Sequence, residues 1–395
     1  MSTFPVQMAG TTNTLLWTNE WDIESQALEQ IRKVSKLAPV RYVRVMPDVH
    51  MGVGASIGTV IGMNGAIAPS AVGVDIGCGV SAVRIANLHR KHVDDLVLHE
   101  LRLAVEEAIP VGFNLHENSV NIRKRFNMEF EYVTTWSLFE TLFADVDHLR
   151  GKAEHQLGTL GGGNHFIELC EGEDGYLWLT LHSGSRNIGK EIAEWHIKKA
   201  KDLSYNKGLG DLAYFKRGTD EFSNYVSDLH WAQNYALVNR TVMMNLFKEV
   251  IEDFFPDPQF EHEISCHHNY VKNEVIDGED LIVTRKGAIS AQEGELGVIP
   301  GNMSYGSFIV RGLGNELSLY SAAHGAGRTM SRGKAKSTFT LKDLQDQTRW
   351  VEARKDIGIV DEIPGAYKNI LTVMEAQRNL VETVTHLQTL MCVKG

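Results

Sequence analysis

Four segments of this chain set a metal-binding side chain beside a glycine-rich or sharply turned stretch. The first reads Ala71-Val-Gly-Val-Asp75-Ile-Gly-Cys78-Gly79, with glycines at 73, 77 and 79 that let the backbone turn tightly. Asp75 and Cys78 are three apart, so one turn can aim both at an ion, and a thiolate can bridge two ions. On these residues alone, a buried Cys beside a turn-capping Asp fits the same spacing. The second segment, Leu160-Gly-Gly-Gly-Asn164-His165-Phe166-Ile167-Glu168, opens an apolar run with a His. In the third, Leu179-Thr-Leu-His182-Ser-Gly-Ser-Arg186, a His closes such a run. The fourth, Cys266-His267-His268-Asn269, offers two adjacent imidazoles. A core histidine explains any one of these singly. Together they supply a carboxylate, a thiolate and three imidazoles. Carboxylate with imidazole suits Mn²⁺, and thiolate leans towards Zn²⁺ or Co²⁺. Two ions about 4 Å apart would clamp the attacking and leaving oxygens of phosphoryl chemistry.

A candidate nucleophile stands apart from these. His324 precedes Gly325-Ala326-Gly327 and is followed by Arg328, Arg332, Lys334 and Lys336. Small neighbours leave the ring accessible, and the basic cluster suits phosphates. A neutral imidazole, with a reference pKa of about 6.5, can attack an α-phosphate to give a labile P–N bond. A His at a helix start among solvated basic residues is the plainer alternative. Pro300-Gly301-Asn302-Met303 with Ser307, and Asn164 with Glu168, look like nucleotide-binding loops. A Glu can accept from the N1 and N2 donors of guanine. There is no Walker-type phosphate loop. Lys394 near the end of the chain counts as functional only if the segment before it docks on the core.

The surroundings bound the function. A formal net charge of -11 argues against a passive nucleic-acid coating protein, so any RNA contact must use a local patch. The 395 residues are 43% hydrophobic, ample for a large core. No apolar run approaches a membrane span, and Met1 to Gly10 lacks the basic flank and apolar core of a secretory leader. With Cys78, Cys170, Cys266 and Cys392 read as reduced thiols, the expected setting is the cytoplasm, away from membranes.

Strand-like runs at Val40–Met46, Ser56–Gly62, Val80–Ile85, His165–Cys170, Trp178–His182, Leu281–Thr284 and Ser307–Arg311 must carry these loops. Helical spacing predicts helices over Ile188–Ala200, Phe222–Phe254 and Ala366–Met391, the last with Ile370, Val373, Leu380, Val384 and Leu387 on one face. The class is α+β, a mixed architecture of central sheets surrounded by helices. The chemistry-bearing residues run from Asp75 to Lys394, so residues 1–395 are expected as one domain, with 188–263 as a helical lobe beside the core.

The strings Pro47-Asp-Val-His50, Val74-Asp75-Ile-Gly-Cys78-Gly, Gly163-Asn164-His165-Phe, His182-Ser-Gly-Ser-Arg186, His267-His268-Asn269-Tyr and His324-Gly-Ala-Gly-Arg328, with the terminal Val-Lys394-Gly, resemble the RtcB family of RNA ligases. The resemblance covers nearly the whole chain and is closest to bacterial members. It implies an RtcB-like fold and a GTP- and Mn²⁺-dependent enzyme. Such an enzyme joins RNA ends bearing a 2′,3′-cyclic phosphate or 3′-phosphate to 5′-hydroxyl ends, in tRNA splicing or RNA repair. It also leaves room for an accessory activator protein. It implies one Mn²⁺ on Asp75, Cys78 and His165 and a second on Cys78, His182 and His268, the last chosen because it precedes Asn269. His324 would carry GMP covalently. Guanylate contacts would come from Asn164, His165, Phe166, Ile167, Glu168, His268, Asn269, Pro300, Gly301, Asn302, Met303, Ser307, His324, Gly325, Ala326, Gly327 and Lys394. Arg186, Arg328 and Arg332 are candidates for RNA phosphates.

Two loops depart from the family pattern. The usual Leu-Gly-Lys-Gly after Pro-Asp-Val-His is here Met51-Gly-Val53-Gly, and the loss of that Lys would weaken or redirect recognition of an RNA end. Asn302 stands where the family has Ser. A dedicated repair enzyme is therefore as compatible with the sequence as a general splicing ligase. A two-metal RNA-end phosphoesterase would need the metal ligands but not His324 or Lys394. A non-catalytic RNA-end binder would need neither metal nor GTP.

Overall fold

The computed structural model describes residues 4–395. Its scaffold is a mixed α+β domain built on two large sheets. One runs in the order Ile264–His267, Gly79–His89, Tyr176–Ser183, Phe166–Gly172, Val381–Lys394, Ser307–Gly312 and Leu296–Pro300, with Glu352–Ala353 added beside Val381–Lys394. The other runs Val6–Gln7, Thr14–Leu16, Val40–His50, Ile57–Met63, Glu279–Lys286 and Asn269–Ile276.

All seven strand runs read from the sequence are strands, and two of the three helices are present as Arg186–Asp202 and Asp220–Phe254. The longer helix starts where Thr219 accepts a hydrogen bond from the Phe222 amide, with Asp220 and Glu221 in its first turn. It lies against the first sheet, and its Leu229, Tyr235 and Phe247 share a core with Val83, Leu179 and Leu181 of that sheet. The strands of this sheet are apolar on the covered face, as such packing demands. No helix among the described residues is long and apolar enough to cross a membrane.

The third expected helix is wrong. Over Ala366–Met391 the chain forms only a short helix, Ile370–Ala376, and then a fourteen-residue strand, Val381–Lys394. Ile370 and Val373 do fall on a buried helical face. Beyond them Val381, Thr383, Val384, Thr385, Thr389 and Val393 are β-branched and favour extended backbone. The deciding force is tertiary: the segment pairs with Phe166–Gly172 on one side and Ser307–Gly312 on the other. Lys394 is thereby fixed opposite Phe166 rather than trailing from a helix end.

Candidate metal and nucleotide site

Antiparallel register explains how residues hundreds of positions apart meet. Gly79 pairs with Ser183 and with His267, while Phe166 pairs with His182 and with Lys394. Pro300 pairs with Ser307. The starts of two strands and the ends of three others therefore share one edge of the first sheet, whereas Ser307 pairs with Leu387, level with Gly172. His268 is the single residue between Ile264–His267 of this sheet and Asn269–Ile276 of the other, so it stands where the two sheets meet.

At that edge the expected donors converge. Cys78 Sγ lies 3.3 Å from His165 Nε2 and 3.2 Å from His182 Nε2. His182 Nε2 lies 2.8 Å from His268 Nε2, and His165 Nε2 lies 3.1 Å from Asp75 Oδ2. Among the described residues, Asp75-Cys78-His165 and Cys78-His182-His268 are the two groups whose donor atoms all fall within 4.8 Å of one another, and Cys78 belongs to both. Gly184 permits this closeness, since a Cβ there would stand 2.1 Å from Asp75 Oδ1. His165 Nδ1 is 3.0 Å from the Leu160 carbonyl, which accepts its N–H and leaves Nε2 as the atom free to bind an ion.

The protonation chemistry of the set suits cations. Burial, then neighbouring charges, pulls His182 and His268 well below the usual imidazole range, so both are neutral, as ligands must be. Burial and then Asp75 push the Cys78 thiol well up, so it becomes a thiolate only beside a cation. Burial would raise Asp75, but hydrogen bonding and charge from His165 hold it at about 2. His268 Nδ1 is buried without a partner. These residues fit divalent ions.

Arg240, within the long helix, was not anticipated. It is fully buried and donates to the Gly77 carbonyl (2.7 Å) and the Ser183 carbonyl (3.1 Å), and its Nη2 lies 3.1 Å from His267 Nδ1. One guanidinium thus ties together the loops bearing Cys78, His182 and His268. It also accounts for His267, which faces Arg240 rather than the donor cluster. An Arg on the buried face of an amphipathic pattern was the available signal.

His324 follows the short strand Ser321–Ala323 and its ring lies 4.6 Å, centroid to centroid, from that of His268. Asp48 Oδ2 lies 2.7 Å from His324 Nδ1 and accepts from the His324 amide at 3.3 Å. This fixes the ring and leaves Nε2 free, the logic of a carboxylate-oriented imidazole. Asp48 is wholly buried and its Oδ1 has no partner. It was visible in Pro47-Asp-Val-His50, but no local pattern linked it to His324.

Beyond His324 lies a cavity of about 1010 Å³, the size of a nucleotide site. Asn164, Phe166, Glu168, His268, Asn269, Ser307 and Lys394 line it, as do residues 300–303 and 324–327. Ile167 is instead buried in the apolar core. Glu168 is buried, which raises its carboxyl to about 7 despite the charge of Lys394. Ser307 Oγ is buried and unpartnered. Asn302 Oδ1 accepts from the Ser304 and Tyr305 amides, closing its own turn.

Glu362 was also missed. It is buried, takes Arg328 at 3.1 Å, Arg332 at 3.6 Å and Lys394 at 3.5 Å, and accepts from the Tyr367 hydroxyl. Burial opposes its ionisation, but Lys394, Tyr367 and the two arginines hold it below the ordinary range. Of the three candidate phosphate groups, Arg332 is half exposed on the cavity wall. Arg328 lines the cavity but is engaged by Glu362 and the Asp361 carbonyl. Arg186 is not among the lining residues and is spent on Thr159 and the Gly112 carbonyl.

Paired cation positions, an oriented imidazole and a nucleotide-sized cavity define an enzyme of phosphoryl chemistry. The sequence pattern of the family described as "tRNA-splicing ligase RtcB" matches residues 30–395. Two RNA-splicing ligases of Escherichia coli, RtcB1 of strain ATCC 25922 and RtcB of strain K12, are each 42% identical over 96% of this chain and 97% of their own length. The tRNA-splicing ligase RtcB of Aeropyrum pernix is 30% identical over 88% of this chain and 86% of its own. The chain belongs to the RtcB family of RNA ligases, which use metal and GTP.

Proposed function

We propose that this protein joins RNA 2′,3′-cyclic phosphate or 3′-phosphate ends to 5′-hydroxyl ends, using GTP and two Mn²⁺ ions, in tRNA splicing or RNA repair. The observation that carries the reading is His324, held by Asp48 with Nε2 free and its ring 4.6 Å from that of His268. Asp75, Cys78 and His165 would hold one ion, and Cys78, His182 and His268 the other. Bound there, the ions would neutralise phosphate charge. His324 Nε2 attacks the α-phosphate of GTP and pyrophosphate leaves, while Asp48 steadies the developing imidazolium. An oxygen of the RNA 3′-phosphate then takes GMP from His324 and the P–N bond breaks. The 5′-hydroxyl oxygen attacks that activated phosphorus and expels GMP. A cyclic end is first opened by water to the 3′-phosphate. Glu168, when ionised, accepts the N1 and N2 hydrogens of guanine, a choice adenine does not satisfy. Four unpaired thiols suit a cytoplasmic setting.

Incubation with Mn²⁺ and GTP labelled at the α-phosphate should leave label on the protein through a denaturing gel. His324→Ala should abolish it. Normal labelling of that variant would reject the nucleophile, and an unlabelled wild type that trims RNA ends would indicate a phosphoesterase.

A further inference from the structure

Two bare turns of the site rest on the long helix Asp220–Phe254. Gly77, in the turn between Asp75 and Cys78, lies so close that a Cβ there would stand 2.8 Å from Ala236 Cβ. A Cβ on Gly158, which leads into the loop before His165, would meet Val242 Cγ1 at the same 2.8 Å. Between these two points the helix presents Asn239 and Arg240, both fully buried. Arg240 holds the turns of Cys78, His182 and His268. Asn239 grips a different pair of loops. Its Oδ1 accepts from the amides of Gly158 (2.7 Å) and Thr159 (3.3 Å). That fixes which side of the group is oxygen, since a flipped amide would set N–H against N–H. Nδ2 is left to donate, and the Thr159 carbonyl, Ser183 Oγ and the Gly184 carbonyl lie 3.2, 3.2 and 3.3 Å from it.

One of these contacts leads to a candidate metal ligand. Ser183 Oγ donates its single proton to the Leu160 carbonyl at 2.8 Å. The same carbonyl accepts from His165 Nδ1 at 3.0 Å. Asn239, Ser183, Leu160 and His165 therefore form an unbroken chain of hydrogen bonds. A second contact, to the Gly184 carbonyl, holds the residue whose missing Cβ lets Asp75 approach. Both paths end on the same donor set, Asp75, Cys78 and His165. Resting on the proposed two-ion reading, we propose that Asn239 is a positioning residue for the ion of that set, fixing the His165 ring through Ser183 and the Leu160 carbonyl. The carbonyl that holds a ligating imidazole must not itself swing, and the Ser183 hydroxyl on its second lone pair prevents this. His182 does not need such help. It lies inside a strand and pairs with Val80 on one side and Phe166 on the other. His165 precedes its strand by one residue, so the ladder does not fix it.

The test is calorimetric titration of Mn²⁺ into the full-length, metal-free protein, with Co²⁺ absorption as a second readout of the thiolate–metal bond. Ser183→Ala cuts the chain at its middle link. Asn239→Asp keeps the shape and removes the donors. Each should weaken one of the two ions about tenfold or more, the scale on which outer partners of a ligating His act, and leave the other unchanged. Ligand variants show which ion is affected. In a His165→Ala background, which has lost the first ion, Ser183→Ala should no longer change the affinity of the remaining one. In a His268→Ala background the loss of about tenfold should persist. A general loosening of the fold would weaken both ions in every background, and that result overturns the inference. Wild-type affinity for both ions in the Ser183 variant overturns it too. Should Asn239→Asp fail to fold, Ser183→Ala decides alone. A His165→Ala protein that keeps both ions, or a wild type that binds none, would instead sink the two-ion reading itself.

Discussion

His182 and His268 are held neutral by burial and Cys78 is held as a thiol, whereas across the cavity Glu362 is ionised and ringed by Arg328, Arg332 and Lys394. On the metal wall, three of the donors, His182, His268 and Cys78, are therefore uncharged until cations arrive. The nucleotide wall already carries its charges, paired with one another. Desolvation explains the division. A buried neutral donor costs little, and the buried charges around Glu362 are offset by their opposite partners. The first wall gains charge on loading, and the second re-partners charge it already has.

The largest expected effect attacks the first wall at its shared atom. Cys78→Ala removes the only donor common to both candidate ion sets, so the dialysed protein should lose both ions and all His324 labelling. His165→Ala, which touches one set, should lose one ion. Metal content per chain checks this, and two ions retained by the Cys78 variant would refute the bridging thiolate.

A smaller effect tests orientation without loss of metal. Asp48→Asn keeps the shape but presents an amide to His324 Nδ1, which disturbs the tautomer. Guanylylation should slow by about a hundredfold or more at unchanged metal content, in the range that oriented acid–base groups contribute. Activity within a few-fold of wild type would demote Asp48 to a structural carboxylate.

These partnerships show where sequence reading stops. Asp75, Cys78, His165 and His182 were legible because each sits near a glycine turn beside an apolar run, and His268 because two imidazoles adjoin there, all of them local patterns. All seven strand runs needed only shifts at their ends, so that Trp178–His182, for example, became Tyr176–Ser183. What connects the elements was not legible. Asp48 and His324 are 276 residues apart, and Glu362 gathers side chains from three segments. Such pairs follow from how sheets close, not from spacing. The C-terminal error has the same origin. Leu380, Val384 and Leu387 happen to repeat at helical intervals, yet flanking strands with open hydrogen-bonding edges recruit the segment into the sheet. The mistake matters because Lys394 gains its buried place from that strand.

The two buried carboxylates influenced by Lys394 allow the finest version of the comparison. Glu362→Ala would leave Arg328 and Lys394 without their counter-charge. It should cost roughly 3–5 kcal/mol in denaturant unfolding, the usual consequence of halving a buried pair. Glu168→Gln should change stability by less than about 1 kcal/mol, because that carboxyl is already close to neutral. Its effect belongs to pH instead. Glu168 sits at about 7 in the folded chain against 4.5 for the ordinary group. Between those values the folded chain holds a proton that the unfolded chain has released, so this group's contribution to stability falls as pH rises through the window. Guanine binding runs the opposite way, because only the ionised form accepts both ring donors. KM for GTP should therefore fall as pH rises from about 6 to 8 in the wild type, and Glu168→Gln should flatten that slope while weakening preference for GTP over ATP. A variant that keeps the wild-type slope would mean that another group sets it. A Glu362 variant as stable as wild type would mean that its cations find water or other partners, and the contrast between the walls would lose its energetic basis.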